Sequence, residues 1–234
     1  MSAGRLYGVG LGPGDPGLVT LRAAEVIRSA EVIAYPARPG EPSFARSIAA
    51  GLIPAGVEEI VMDVPMTPAR GPAQAAYDTG AARIAEVLAA GRDVVCLCEG
   101  DPFFYGSFMY LHARLSARFA VEVVPGVTSV SAASARAGRP LSARNERVAV
   151  LPGPLSDGEL RARISEAESV AIMKLGRHLG RIRAVLAGMG LLERALYIER
   201  ATLAQERILP LAEAPDPAPY FSLILLTKGE DPWL

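Results

Sequence analysis

The stretch Leu6-Tyr7-Gly8-Val9-Gly10-Leu11-Gly12-Pro13-Gly14-Asp15-Pro16-Gly17 carries an apolar run directly into a turn rich in glycine and proline. The apolar run Leu6–Val9 predicts a buried β-strand. Thr20, just beyond the turn, is a typical N-cap of a helix. A strand, a tight turn and a helix in this order are typical of α/β proteins. We therefore expect an α/β fold that opens with this unit.

The rest of the chain alternates short apolar runs with longer amphipathic stretches, which supports the same fold class. The predicted strands are Leu6–Val9, Val32–Tyr35, Ile60–Val64, Val94–Cys98, Val121–Val124, Val148–Leu151, Val170–Met173, Ala195–Ile198 and Tyr220–Leu226. The predicted helices are Thr20–Ser29, Ser43–Leu52, Pro72–Ala90, Phe108–Ala117, Thr128–Ala137, Asp157–Glu166 and His178–Ala187.

The arrangement of these elements changes along the chain, which predicts two α/β domains, residues 1–118 and 119–234. Up to about residue 115 strands and helices alternate, as in a mostly parallel sheet. After about residue 120 strands are denser, and the segment 208–226 is typical of neighbouring antiparallel strands. We therefore expect a mostly parallel sheet in the first domain and a mixed sheet in the second.

Composition excludes several classes of protein. The 234 residues are 50% hydrophobic and carry a formal net charge of -1, which disfavours a disordered chain and a nucleic-acid-binding protein. Cys96 and Cys98 share one face of a predicted strand with no second cysteine cluster, so we expect reduced core residues and no metal site. Neither a signal peptide nor an apolar run of membrane-spanning length is visible, which predicts a soluble, cytoplasmic protein without a membrane partner.

The glycine turn also matches the dinucleotide-binding pattern G-x-G-x-x-G. The matching glycines are Gly12, Gly14 and Gly17. A dinucleotide site holds pyrophosphate through backbone N–H groups, and Pro13 and Pro16 have none. The second predicted strand also ends in Ala34-Tyr35-Pro36 rather than in an acidic residue for the ribose. These features disfavour a dinucleotide enzyme, and a tight turn without a ligand stays open as an alternative.

Four parts of the chain together indicate a family. They are Val9-Gly10-Leu11-Gly12-Pro13-Gly14-Asp15-Pro16, Glu99-Gly100-Asp101-Pro102-Phe103-Phe104-Tyr105-Gly106, Pro125-Gly126-Val127-Thr128-Ser129, and the pair Ile172-Met173-Lys174 and Glu199-Arg200-Ala201-Thr202. In their order and spacing they resemble the motifs of the tetrapyrrole methylases, over nearly the whole chain.

The resemblance implies a two-domain α/β methyltransferase, usually a homodimer, that binds S-adenosylmethionine in an active-site cleft between its domains. The cofactor-binding residues that it implies are Glu99, Gly100, Asp101, Phe104, Thr128, Ser129, Met173 and Ala201. The substrate-binding candidates are Pro13, Gly14, Tyr35, Arg70, Tyr105 and Arg144. Arginine suits a substrate with many carboxylates, and aromatic rings suit its macrocycle.

Several candidate residues also have an ordinary structural interpretation. Asp101 could bind the cofactor, or its side chain could form a turn before Pro102. Thr128 and Ser129 could cap their helix, bind the cofactor, or do both. Met173, on a predicted buried strand, is by residue type a core residue, and its ligand role is implied by the resemblance alone.

Further stretches resemble the members of the family that methylate precorrin-2 at C-20 on the route to cobalamin. Among them are Met62-Asp63-Val64-Pro65-Met66 and Ser107-Phe108-Met109-Tyr110, and the loop 66–72 favours the metal-free substrate over its cobalt counterpart. The methyl donor is already activated, so the protein mainly supplies alignment and exclusion of water, without a metal. Glu99, Asp101 and Tyr105 are weak candidates for a base. A cofactor-binding module without catalysis is the remaining alternative.

Overall fold

The computed structural model describes residues 2–65 and 70–229, and of Arg70 it describes the backbone only. The chain divides into two compact units, Met1–Thr128 and Ser129–Leu234. The boundary thus lies ten residues beyond the position near Arg118 that the sequence suggested. The physical reason is strand pairing, because Val121–Val124 pairs with the first strand of the chain and belongs to the first unit.

The first unit contains nine of the helices and strands. They are β1 Leu6–Gly10, α1 Leu21–Arg28, β2 Val32–Ala37, α2 Phe44–Ala49, β3 Glu58–Asp63, α3 Arg70–Ala89, β4 Val94–Cys98, α4 Phe108–Leu115 and β5 Val121–Val124. Side chains of Thr20 and Ser43 accept hydrogen bonds from the first turns of α1 and α2, as their N-cap positions predict.

The sheet of the first unit has the strand order β3-β2-β4-β1-β5, and every pair in it is parallel. Helices α1 and α2 pack on one face of this sheet, and α3 and α4 pack on the other. Both faces are therefore buried, as parallel sheets require. The prediction of a mostly parallel first sheet is confirmed.

The second unit contains the remaining elements. They are α5 Ser129–Arg136, β6 Val148–Pro152, α6 Asp157–Glu166, β7 Ser169–Met173, α7 Leu179–Gly188, β8 Ala195–Glu199, β9 Arg207–Pro210 and β10 Ser222–Thr227. The side chain of Ser156 and that of Glu159 form a capping box at the start of α6. Helices α6 and α7 pack together against the sheet to form the core of this unit.

The sheet of the second unit has the strand order β6-β7-β10-β8-β9. Strands β6 and β7 are parallel and the other pairs are antiparallel, which confirms the predicted mixed sheet. One detail of the prediction is wrong: β9 and β10 are not neighbours, since β8 lies between them. The run Leu223–Leu226 is buried throughout, so it takes a central position, whereas the partly exposed β9 lies at the sheet edge.

The two cysteines lie in the core of the first unit, as predicted. Cys96 and Cys98 are buried on the same face of β4, among residues that contact α3 and α4. Burial raises the pKa of both thiols, so they stay neutral. In the parts of the chain that the structure describes, no helix has the length and apolar character needed to cross a membrane.

Candidate active site

The carboxyl ends of β1 and β4 lie side by side in the first sheet, at the place where a ligand-binding crevice is expected. The two strands are neighbours, but the connection after β1 leads to α1 on one face and that after β4 leads to α4 on the other. Adjacent strands whose connections diverge in this way leave a ligand-binding crevice at their carboxyl ends. The motifs 9–16 and 99–106 both lie at this edge.

Glycines bring the loops after β1, β4 and β5 into backbone contact. Gly12 and Gly100 form a two-way bridge, with N···O distances of 3.2 Å from the Gly12 N–H and 2.8 Å from the Gly100 N–H. A Cβ added to Gly10 would lie 2.6 Å from the Cα of Gly126, and one on Gly126 would overlap the carbonyl oxygen of Gly100. No side chain fits between these backbones, which explains the two motif glycines Gly10 and Gly126.

Gly100 differs from Gly10 and Gly126, because the space that a side chain at position 100 would occupy is open. It has a φ of 64°, a left-handed conformation that favours glycine. Among the described residues other than its two chain neighbours, no atom lies within 4 Å of the position that its Cβ would occupy. The backbone of Gly100 can therefore be approached closely by a ligand.

The glycine turn after β1 does not have the geometry of a dinucleotide site. The Gly12 N–H donates to the Gly100 carbonyl, and the Gly17 N–H donates to Asp15 Oδ1 at 2.8 Å. Thr20 Oγ1 accepts from the Ala23 N–H and so caps the first turn of α1. These N–H groups are engaged inside the protein, which agrees with the interpretation from the sequence. The neighbouring Gly14 is buried and Pro13 is half-buried.

The carboxylate of Asp101 is held by three backbone N–H groups. Its Oδ1 accepts from Phe103 N at 2.9 Å and Phe104 N at 3.0 Å, and its Oδ2 accepts from Gly126 N at 3.1 Å. The first two bonds are the local turn that the sequence analysis gave as an alternative. The third connects the loop after β4 with the loop after β5, a contact that the sequence did not indicate.

Glu99 lies between the end of β4 and the Gly100 bridge and is half-buried. Burial raises the pKa of its carboxyl group above the usual value of 4.5, although hydrogen bonds from backbone N–H groups oppose this shift. Glu99 is therefore easier to protonate than an exposed glutamate.

The aromatic residues after Asp101 extend from the crevice loop. Phe104 is half-buried and contacts Tyr105 edge-on, with ring centroids 5.4 Å apart. Tyr105 is 43% exposed and has a φ of 58°, an uncommon conformation for a bulky residue. Such strain is concentrated at functional sites, which is consistent with the predicted role of Tyr105.

The base of this loop is anchored by Phe108, whose importance the sequence analysis missed. Phe108 is the first residue of α4 and is 1% exposed. Its ring packs directly on β1, because a Cβ on Gly8 would lie 2.6 Å from the ring Cζ. His112 contacts Phe103 with ring centroids 5.2 Å apart, which agrees with a packing role for that histidine.

Tyr35, a substrate-binding candidate, lies instead in the core of the first unit. Its side chain is 6% exposed, and its hydroxyl donates to Glu59 Oε2. Arg46 donates to both oxygens of Glu59, at 2.9 and 2.8 Å. On β2 the side chain of Tyr35 points to the face of the sheet that α1 and α2 cover. Its ring is therefore part of the core and is not open to a macrocycle.

The ion pair at Glu59 predicts a pH dependence of stability. The guanidinium of Arg46 lowers the pKa of Glu59 below its usual 4.5. The ion pair therefore contributes to the free energy of unfolding above pH 4.5. This contribution is lost as the pH falls through the lower pKa that Glu59 has in the folded state. We expect Arg46→Gln to lower the free energy of unfolding at pH 7 by at most about 1 kcal/mol, since the guanidinium is partly exposed. The difference should shrink towards pH 3 in urea titrations, and a constant difference would contradict the assignment.

In the second unit, the predicted residues gather at one edge of the sheet. Met173 at the end of β7 and Glu199 at the end of β8 flank the start of β10 from its two sides. The Arg200 N–H donates to the Phe221 carbonyl at 2.8 Å, next to the half-buried Ala201. The non-glycine residues with positive φ at this edge are Lys174, Arg200 and Thr202. This concentration of unusual backbone supports a functional role for the edge.

Glu199 is a further residue of this edge that the sequence analysis named only within a motif. It is 4% exposed and accepts from the Tyr197 hydroxyl at 2.6 Å, with Arg207 Nη1 3.5 Å from its other oxygen. Burial and the neighbouring carboxylate raise the pKa of Tyr197. The alternation of Tyr197 and Glu199 on one strand face is the signal that could have indicated this pair.

The other candidates lie at the unit boundary or outside the described residues. Thr128 and Ser129 are half-buried where α5 begins. Arg144 is exposed with a φ of 46°. The side chain of Arg70 and the preceding residues 66–69 lie outside the part of the chain that the structure describes.

Comparison with known proteins gives the family. Residues 5–215 match the model of the Tetrapyrrole (Corrin/Porphyrin) Methylases. The chain is 42% identical over 240 residues to a precorrin-2 C(20)-methyltransferase of Sinorhizobium sp, covering 99% of this chain and 98% of that protein. It is 34% identical over 229 residues to the cobalt-precorrin-2 C(20)-methyltransferase of Salmonella typhimurium, covering 96% and 97% of the two proteins.

A solved structure agrees with these relatives. The uroporphyrin-III C-methyl transferase of Thermus thermophilus, complexed with S-adenyl homocysteine, matches with a TM-score of 0.69 and 27% identity. The match covers 96% of this chain and 98% of that one.

The first unit is an α/β domain whose glycine loops lie at the carboxyl edge of a parallel sheet, the edge at which such sheets bind ligands. The chain belongs to the tetrapyrrole (corrin/porphyrin) methylase family and is a methyltransferase. The family resemblance seen in its motifs is thereby confirmed.

Proposed function

We propose that this methyltransferase transfers a methyl group from S-adenosylmethionine to C-20 of precorrin-2, giving precorrin-3A in cobalamin biosynthesis. The observation that carries the proposal is the 42% identity to a precorrin-2 C(20)-methyltransferase over 99% of the chain. Identity to the cobalt-precorrin-2 enzyme is 34%, which favours the metal-free substrate.

The loops at the carboxyl edge of the first sheet support the binding of this cofactor. Open space beside the Gly100 backbone allows close approach, and the crevice lies where α/β sheets bind ligands. A relative of known structure is complexed with S-adenyl homocysteine. When bound, S-adenosylmethionine supplies a methyl group already activated on a positively charged sulfur. The proposed contacts are Glu99, Gly100, the backbone of Asp101, and Phe104 in the first unit, Thr128 at its end, and Ser129, Met173 and Ala201 in the second.

The proposed substrate contacts are Pro13, Gly14, Tyr105, Arg70 and Arg144. Pro13 and Gly14 belong to the turn after β1, beside the crevice. Tyr105 offers an exposed aromatic ring, and the arginines suit the carboxylate arms of a tetrapyrrole. The burial of Tyr35 removes it from this set.

The chain itself contributes alignment and exclusion of water rather than a nucleophile. Among the weak candidates for a base, Glu99 is the best supported, because burial raises the pKa of its carboxyl group. The Asp101 carboxylate already accepts three backbone hydrogen bonds.

We also propose, from the family resemblance, that the protein acts in the cytoplasm as a homodimer. Its formal net charge of -1 supports a small-molecule substrate rather than a nucleic acid. Light scattering coupled to gel filtration measures the dimer directly.

Anaerobic incubation with methyl-labelled S-adenosylmethionine tests the proposed reaction. Metal-free precorrin-2 and cobalt-factor II are supplied separately, and the products are analysed by mass spectrometry and carbon NMR. We expect one added methyl group, at C-20, on the metal-free substrate. The matched control is the same mixture with Gly100→Val, which fills the open space beside the backbone and strains a φ of 64°.

The other outcomes assign the activity differently. Transfer only to the cobalt compound would identify the cobalt-dependent route. Binding of S-adenosylmethionine without transfer to either compound would leave the family assignment in place and contradict the substrate.

A further inference from the structure

We propose that the Asp101 carboxylate is a positioning residue, which fixes the loops after β4 and β5 so that the space beside Gly100 stays open. Its effect on ligand affinity would then act through those loops rather than through a side-chain contact with the ligand. The effect on ligand affinity rests on the proposed function, because it requires the proposed cofactor. The role of Asp101 in fixing the two loops does not.

The two carboxylate oxygens of Asp101 serve different segments. Oδ1 accepts from Phe103 N and Phe104 N, which are local to the turn. Oδ2 accepts from Gly126 N, 25 residues further along the chain. A residue that only formed a turn would need the first oxygen alone, so the second bond points to a connection between loops.

This connection reaches Gly100 through a short chain of contacts. Gly126 packs so tightly on Gly100 that a Cβ would overlap its carbonyl oxygen. The same carbonyl accepts from the Gly12 N–H at 3.2 Å. Fixing the Gly126 N–H therefore fixes the backbone against which the Gly100 carbonyl packs.

The chemistry of the site favours a carboxylate over an amide. Asp101 uses both oxygens as acceptors, and N–H groups bind an ionised carboxylate more strongly than a neutral acceptor. Asparagine would keep one oxygen for Phe103 and Phe104 but would direct its NH₂ group at the Gly126 N–H. Two donors would then face each other. The substitution Asp101→Asn therefore removes the inter-loop bond with little change in volume.

The first test uses the wild-type chain without any ligand. We expect the Gly126 amide to exchange slowly with solvent in NMR measurements, together with those of Phe103 and Phe104, because the bonds exist before a ligand binds. A Gly126 amide that exchanges freely, and becomes protected only when S-adenosylhomocysteine is added, would overturn the proposal. This measurement does not depend on any variant folding.

The second test compares Asp101→Asn with the matched control Asp93→Asn. Asp93 precedes the same strand β4 and accepts from the Arg5 N–H at 2.7 Å, at the opposite edge of the sheet. We expect Asp101→Asn to speed exchange at Gly126 and to weaken S-adenosylhomocysteine binding in calorimetry about tenfold. Asp93→Asn should leave both measurements unchanged.

Truncated ligands separate positioning from direct contact. Binding is measured for S-adenosylhomocysteine, for 5′-methylthioadenosine, which lacks the amino-acid part, and for an analogue without ribose hydroxyls. Positioning predicts the same fold-loss from Asp101→Asn with all three. A loss that disappears with one analogue would identify a direct contact and overturn the proposal. If the wild-type chain bound none of them, the proposed cofactor would fail, and amide exchange at Gly126 would still decide the positioning role.

Discussion

Replacing Gly126 by alanine is expected to lower the free energy of unfolding by about 3 kcal/mol and to abolish measurable binding of S-adenosylhomocysteine. The added Cβ would overlap the carbonyl oxygen of Gly100 and lie 2.8 Å from the Cα of Gly10. These neighbours are backbone atoms of the loop after β4 and of the last residue of β1, so neither can yield by a change of rotamer. The loops after β1, β4 and β5 would separate, and the space beside Gly100 would change shape.

Urea unfolding and calorimetry measure the two effects. Gly158→Ala is the matched control. Gly158 lies in helix α6, and beyond its chain neighbours and the backbone of that helix no atom of the residues that the structure describes lies within 4 Å of its Cβ position. Alanine there should be neutral or stabilise by up to about 1 kcal/mol. A Gly126→Ala protein as stable as the wild type would show that the three loops are not packed as described.

Replacing Phe108 by alanine is expected to destabilise the protein by about 3–5 kcal/mol. Phe108 is among the largest fully buried side chains, and its ring occupies the place that a side chain at position 8 would take. Deleting it leaves a cavity between α4 and β1. The ring of Phe103 would also lose a neighbour, since the two ring centroids are 6.1 Å apart.

The adjacent Met109 provides the comparison. It lies in the same helix and is 36% exposed, so Met109→Ala should cost about 0.5 kcal/mol or less. Urea midpoints of the two variants measure the difference. Equal losses would mean that Phe108 contributes no more to the core than an exposed neighbour.

The elements of the fold could be predicted because their signals are local. Strand β4 is a continuous apolar run. Thr20 and Ser43 are the N-cap residues that directly precede α1 and α2. The order of the strands could not be read in the same way. Strand β10 inserts between β7 and β8, and β5 joins the first sheet, through pairings that no local pattern specifies.

In the candidate site, too, local features could be predicted from the sequence and contacts between distant segments could not. The motifs singled out Gly100 and Asp101, which the structure has in the loop after β4. Tyr35 was assigned to the substrate because an aromatic residue at a strand end suits a macrocycle, but its alternation on β2 turns the ring into the core. The Oδ2 bond from Asp101 to Gly126 depends on two loops meeting in space, and a sequence pattern carries no sign of it.

The parallel pairing of β1 has a consequence for how the chain acquires its structure during synthesis. The N–H of Arg5, just before β1, donates to Asp93, which lies 88 residues further along the chain. Strand β1 also pairs with β5, beyond residue 120. At about 5–20 residues per second, the ribosome needs seconds to supply those partners. Until then β1 exposes two unpaired edges, and such non-local contacts make folding slow. The glycine crevice is therefore among the last parts of the first unit to form on the ribosome.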